Sequence, residues 1–341
     1  MDPITLEICW NRLIGVVNEQ AAALQRTSFT SIVREAGDLS AGVFDRRGYM
    51  VAQAVTGTPG HINSMALAMK HFLAACPLET LRPGDVLITN DPWLTSGHLN
   101  DVTIASPIFR GEECIAFFAS TCHTADIGGH VLSAEAREVY EEGLQIPIMK
   151  LYEAGRPNEA LIAIIRANVR VPEMVLGDFH AQIAGGAVGG ERLREFMDEF
   201  GLERLEPLAD EIIGRTERAM RAAIKALTPG AYEYAITSDG FDEPLTIRAR
   251  CEVRDDELWI DYRGSSPASR RGVNVVMNYT EAYTTYGVKV IVSPDVPNNE
   301  GAFRPLRITA PEGSILNVSR PAAVAARHVV GHFLPHVIAG A

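Results

Sequence analysis

The spacing of apolar positions changes along the chain, and each change predicts an element. Ile4, Ile8, Leu13, Val16, Val17 and Leu24 recur at helical intervals behind Asp2 and Pro3, a capping residue and a first-turn proline, so residues 3–25 read as a helix. Two short β-favouring runs, 41–45 and 49–54, flank Arg46-Arg47-Gly48 and read as a hairpin. Residues 61–75 return to helical spacing; His61 either reaches the site or caps the helix, and a cap or surface role is the expected one. Leu81-Arg82-Pro83-Gly84-Asp85 then turns into a strand at 86–89. Residues 134–142, 158–168 and 174–184 read as helices, and the glycines of 184–190 as a helix interruption. A charged amphipathic helical stretch follows at 191–227, broken near Gly201 and Pro207. Past Thr228-Pro229-Gly230 the texture changes to short β-like runs at 232–237, 245–253, 258–262, 288–292 and 307–309. The fold class expected is mixed α/β (α+β): helices and antiparallel hairpins in an α/β domain at 1–228, then a β-rich domain at 229–341.

The second hairpin carries chemistry. Residues 102–109 and 114–122 are apolar runs joined by the polar turn Arg110-Gly111-Glu112-Glu113. With the turn centred there, antiparallel partners have numbers summing to about 223, with one residue of slack for a bulge. Asp101 therefore falls beside Cys122 or His123. His98 lies three residues before Asp101, so a turn at the hairpin's open end brings its imidazole to the same point. Two imidazoles and one carboxylate suit a divalent cation that keeps open positions for water or substrate. Asp126 and His130 are spare candidates nearby. Cys122 reads as core, because neighbours in a strand point to opposite faces. Glu35 and Asp38 sit on a connection feeding the first hairpin, where functional groups often lie. His328, His332 and His336 share helical spacing, but Pro335 interrupts the register and no H-E-x-x-H accompanies them.

Composition narrows the partners. The 341 residues include 31 basic and 43 acidic side chains, a net charge of -12, which argues against nucleic acid or an anionic membrane. No run reaches the roughly eighteen apolar residues of a membrane span, and Met1-Asp2-Pro3-Ile4-Thr5 lacks the basic and apolar regions of a signal peptide, so a cytoplasmic protein is expected. Five scattered cysteines suit reduced core residues, not a disulfide framework. The glycines of 184–190 match neither a dinucleotide nor a Walker fingerprint, so no ATP site is expected on this chain. The chain stops on Val337-Ile338-Ala339-Gly340-Ala341, apolar and without a helix-ending signal, as if cut short.

Several phrases resemble the hydantoinase B family: Arg34-Glu35-Ala36-Gly37-Asp38-Leu39-Ser40, Asn90-Asp91-Pro92, Gly97-His98-Leu99-Asn100-Asp101, His123-Thr124-Ala125-Asp126-Ile127-Gly128-Gly129 and Glu142-Gly143-Leu144-Gln145-Ile146-Pro147. Asn168-Val169-Arg170-Val171-Pro172 and Ser319-Arg320-Pro321-Ala322-Ala323-Val324 continue the likeness. That family includes the B-type subunits of N-methylhydantoinases, the matching half of 5-oxoprolinases, and α-type subunits of acetone and acetophenone carboxylases. The resemblance covers the N-terminal portion of the usual family length. It implies a hetero-oligomer in which a hydantoinase A-type partner handles ATP and a B-type subunit hydrolyses a cyclic amide such as hydantoin or 5-oxoproline. The alternatives are a carboxylase α-type subunit or an idle scaffold. In the acetone carboxylase branch a manganese is held by a His-x-x-Asp pair and a later His, which become His98, Asp101 and His123 here; zinc or iron suit the same donors. Asp38 follows as general base or further ligand, then Glu35 and Asp91.

Overall fold

The computed structural model describes residues 2–130 and 132–341. Its first part is built on a seven-stranded antiparallel sheet. The chain enters through helices α1 (Pro3–Thr27) and α2 (Ser31–Arg34), then the hairpin β1 (Leu39–Asp45) and β2 (Met50–Gln53) and helix α3 (Pro59–Ala75). There follow β3 (Val86–Thr89), β4 (Asp101–Arg110), β5 (Glu113–His123), β6 (Met149–Glu153) and β7 (Arg156–Pro157), then helices α4 (Glu159–Asn168), α5 (Pro172–Glu199) and α6 (Glu206–Lys225). The strand order is β2-β1-β5-β4-β3-β6-β7. A second, four-stranded sheet has the order β11-β10-β9-β8, made by β8 (Gly230–Ser238), β9 (Leu245–Arg254), β10 (Glu257–Asp261) and β11 (Leu306–Thr309). Helices α7 (Met277–Val292), α8 (His328–Gly331) and α9 (Phe333–Gly340) complete the chain. The architecture is mixed α/β. Among the described residues, no helix is long and apolar enough to cross a membrane.

Strand alternation assigns the two faces of the large sheet. Val102, Ile104, Phe118 and Cys122 point to the side covered by α1, α4 and α5, whereas Ala105, Phe117 and Ala119 point to α3. Asp101 and His123 share the α3 side, because residues two apart on a strand share a face. Cys122 is fully buried on the opposite face, as its place beside His123 in a strand predicts. All five cysteines are free.

Four readings of the sequence need correction. The glycines at 184–190 do not interrupt a helix; α5 runs through them. A Cβ at Gly189 would lie 2.5 Å from the Phe118 ring, one at Gly190 2.6 Å from Ile108 and one at Gly186 2.9 Å from Ser106, so these glycines let the helix lie flat on the sheet. Residues 288–292 belong to the C-terminal turns of α7, not to a strand: buried β-branched runs fit either state, and tertiary packing decides. Residues 134–142 form turns with a single 3-10 turn at Val139–Glu141 in place of a helix. His61, read as a cap or surface residue, is buried in α3.

The second part shares its core with the loops of the first: Leu99, Ile127 and Val139 pack with Tyr279, Tyr283, Val330 and the apolar face of β9. Glu281, on α7, has its carboxyl raised by burial to about 7 against the pull of the Lys70 cation. Because the folded chain binds this proton more tightly than the unfolded one, the stability it contributes is complete below the ordinary value of 4.5 and is lost as pH rises through about 7. Glu281→Gln should therefore gain on the wild type in melting temperature by about 1–3 °C between pH 5 and pH 8, a difference that scanning calorimetry at the two pH values will read.

Candidate metal centre

The hairpin register places Asp101 directly opposite His123. His98 arrives through a turn whose backbone closes from Asp101 N to His98 O, at 3.4 Å. The three side chains meet at the open end of β4 and β5. His98 Nε2 lies 2.7 Å and His123 Nδ1 3.0 Å from the same oxygen, Asp101 Oδ1. The other oxygen, Oδ2, is taken by His61 Nε2 at 2.9 Å and by the Arg327 guanidinium. Asp101 is 0%, His98 and His61 2% and Arg327 4% exposed, so these charges face one another away from water. Burial alone would raise the Asp101 carboxyl, but His61 and the Arg327 cation hold it well below the carboxylate range. Burial likewise opposes a charge on His61, and the adjacent Asp101 outweighs it, so that imidazole titrates above its ordinary value.

His98 tests whether the trio suits a cation. Its Nδ1 lies 2.9 Å from the Ala325 carbonyl, which can only accept, so Nδ1 carries the hydrogen and Nε2 presents a lone pair. Burial and then the Arg327 cation lower His98 to about 4, and a second proton is therefore absent at neutral pH. Two electron pairs, on His98 Nε2 and Asp101 Oδ1, thus face each other at 2.7 Å, and Nε2 has no hydrogen-bond partner. A cation between them removes that repulsion. Ligand atoms about 2.1 Å from one ion, at right angles, lie about 3 Å apart, which matches the two spacings seen. Among the described residues this trio is the one group of three His, Cys, Asp or Glu whose ligand atoms lie within 4.8 Å of one another.

The trio lines a cavity of about 340 Å³ whose walls come from both parts of the chain, with Asp38, Thr58, His61 and Leu132 from the first and Tyr279, Tyr283, His328 and His332 from the second. Asp38 accepts from the Thr58 hydroxyl at 2.7 Å and lies 3.7 Å from His61 and 4.0 Å from His123. Glu35 is not brought to the trio; it is exposed and pairs with Arg34. Asp91 lies outside the cavity lining, where it caps the turn at Trp93 and accepts from Gln145 and Arg320. Asp126 is held by Arg170, and His130 is exposed. Sequence reasoning missed Arg327, Tyr279 and Tyr283 and ranked a cap or surface role for His61 above its reach to the site. Arg327 did carry a signal, as a charge that directly ends the apolar run Ala322-Ala323-Val324-Ala325-Ala326, because a buried cation needs a buried anion.

A profile described as hydantoinase B/oxoprolinase matches residues 2–341. The chain belongs to this family. It is 31% identical over 353 residues to the B-type subunit of a putative D-/L-hydantoinase from a Pseudomonas species, covering 97% of this chain and 60% of that one. The crystal structure of the ATP-dependent caprolactamase from Pseudomonas jessenii superimposes with a TM-score of 0.90 at 28% identity, over 99% of this chain and 59% of that one. The nucleotide-free structure of an acetone carboxylase, at 20% identity and a TM-score of 0.86, shares the fold over 96% of this chain and 46% of its own. The chain thus spans about three fifths of the length of the hydantoinase relative and of the caprolactamase.

Proposed function

We propose that this chain is the B-type part of an ATP-dependent hydrolase of cyclic amides, acting at a divalent-cation site formed by His98, Asp101 and His123. The observation that carries the site is the unpartnered, buried Nε2 of His98 aimed at Asp101 Oδ1. Support for the reaction comes from family membership and from relatives named for hydantoin and caprolactam hydrolysis. The carboxylase alternative has only a shared fold behind it. Manganese, zinc or iron fits the donor set. When bound, such a cation lowers the pKa of water and polarises a carbonyl, the two requirements of amide hydrolysis.

The chain's own groups then have separate tasks. Arg327 and His61 tie down Asp101 Oδ2, which leaves Oδ1 aimed at the two imidazoles. Asp38, oriented by the Thr58 hydroxyl and facing the cavity, is placed to accept a proton from attacking water. Tyr279 and Tyr283 wall the cavity against solvent. ATP would be handled by an A-type partner, which activates the amide. In a complex of both subunits supplied with ATP and hydantoin, 5-oxoproline or caprolactam, hydrolysis should depend on the partner, and Asp38→Asn should lower kcat about 100-fold or more. Full ATP-dependent hydrolysis by this chain alone would defeat the division of labour, and an undiminished Asp38→Asn enzyme would remove Asp38 as the base.

A further inference from the structure

The strap of residues 321–327 crosses the candidate site and carries two of its contacts: the Ala325 carbonyl, which accepts from His98, and Arg327, which holds Asp101. The strap has almost no regular structure, so its course is set by what grips its backbone. Pro321 O accepts from Val139 N at 2.9 Å, Ala323 O from Asn274 Nδ2 at 2.9 Å, and Ala326 N donates to Gly272 O at 2.7 Å. At its centre, the N–H groups of Val324 and Ala325 both donate to a single oxygen, Glu142 Oε1, at 2.6 and 2.7 Å. Glu142 is 1% exposed and reaches neither the trio nor the cavity. Burial raises the Glu142 carboxyl to about 7 against the pull of these two N–H groups, and Oε1 can accept both whether or not Oε2 carries a proton; one of the two comes from Ala325, whose carbonyl meets His98.

We propose that Glu142 is a positioning residue for the site: by holding the Val324 and Ala325 N–H groups it fixes the Ala325 carbonyl, and through it the tautomer and direction of the His98 ring. The chain of contacts is continuous, from Glu142 Oε1 to Ala325 N, along that residue to its carbonyl, to His98 Nδ1, and across the ring to the Nε2 that faces Asp101. A carboxyl group this deeply buried has no other evident task, since among the described residues its Oε2 is without a hydrogen-bond partner and no neighbouring cation pulls its titration down. Outer partners of metal-binding histidines are general determinants of affinity, and their loss typically weakens binding about 10–100-fold.

The affinity part of the test rests on the metal reading of the trio, and the tautomer part does not. Two readouts on the full chain keep them apart. Side-chain nitrogen NMR of the metal-free protein should show His98 protonated at Nδ1 in the wild type and shifted toward Nε2–H, or a mixture, in Glu142→Ala. Co²⁺ titration should show binding weakened about tenfold or more in Glu142→Ala and held within about threefold in Glu142→Gln, whose amide oxygen can accept both N–H groups. If the alanine variant does not fold, Glu142→Asp, one methylene too short to reach both donors, should lose about fivefold or more. An unchanged His98 tautomer in the alanine or aspartate variant overturns the proposal, as does Co²⁺ affinity equal to that of a wild type that binds. A wild type that binds no Co²⁺ overturns the metal reading instead, and the tautomer still decides the role of Glu142.

Discussion

Asp101→Ala should abolish both divalent-cation binding and hydrolysis, and should destabilise the fold by about 3–5 kcal/mol, the usual result of leaving a buried charge without its partner. The stranded group is Arg327, 4% exposed, whose remaining contacts are the Ser96 carbonyl and the face of Tyr279, 3.9 Å from the guanidinium carbon. His61 loses its Nε2 acceptor in the same substitution. Asp101→Asn is the informative companion, since it preserves shape and one carbonyl oxygen while removing the anion. Urea unfolding of the two variants should separate packing from charge, with the alanine variant lower in midpoint and both devoid of metal. A wild-type midpoint in Asp101→Ala would mean that Arg327 does not depend on this carboxylate.

Gly129→Ala is expected to cost about 2–5 kcal/mol, although it adds one methyl group at an exposed position. Gly129 has φ +53°, and a Cβ there would overlap the backbone at Glu142 and Gly143, where no side chain can rotate away. Gly143 has φ +147°, and a Cβ on it would meet Ile127 O at 2.5 Å, so the loop after His123 and the segment carrying Glu142 touch backbone to backbone. Pushing them apart moves Glu142 and hence the strap above His98. Thermal unfolding should fall by several degrees, and cation binding should weaken beyond what partial unfolding explains. Gly111→Ala is the control: its φ is +61°, but a Cβ there meets nothing within 4 Å, so its cost should be limited to the backbone strain.

How much of this was legible in the sequence varies with distance along the chain. The two hairpins were, because β-favouring apolar runs on either side of polar turns specify pairing, and the register followed from the turn position. That register is what put Asp101 opposite His123. Helix α1 announced itself through Asp2, whose carboxylate does cap Ile4 N and Thr5 N. The glycine run of α5 was misread because intrinsic propensity favours a break, and only the contact with Phe118 and Ile108 shows why a helix tolerates it there. Arg327 and the two tyrosines were invisible for another reason. They lie far along the chain from Asp101, and a helical or strand period carries no information about which distant element closes a cavity. His61 shows the same limit, since its helix was plain but the face it turns to Asp101 was not.

The central claim is that His98, Asp101 and His123 hold a divalent cation, and calorimetric titration with Mn²⁺ addresses it most directly. The metal-free wild type should bind a single ion per chain, and His98→Ala and His123→Ala, each checked for native melting, should lose binding by about 100-fold or more. No saturable binding by the folded wild type, or affinity unchanged in both variants, would contradict it.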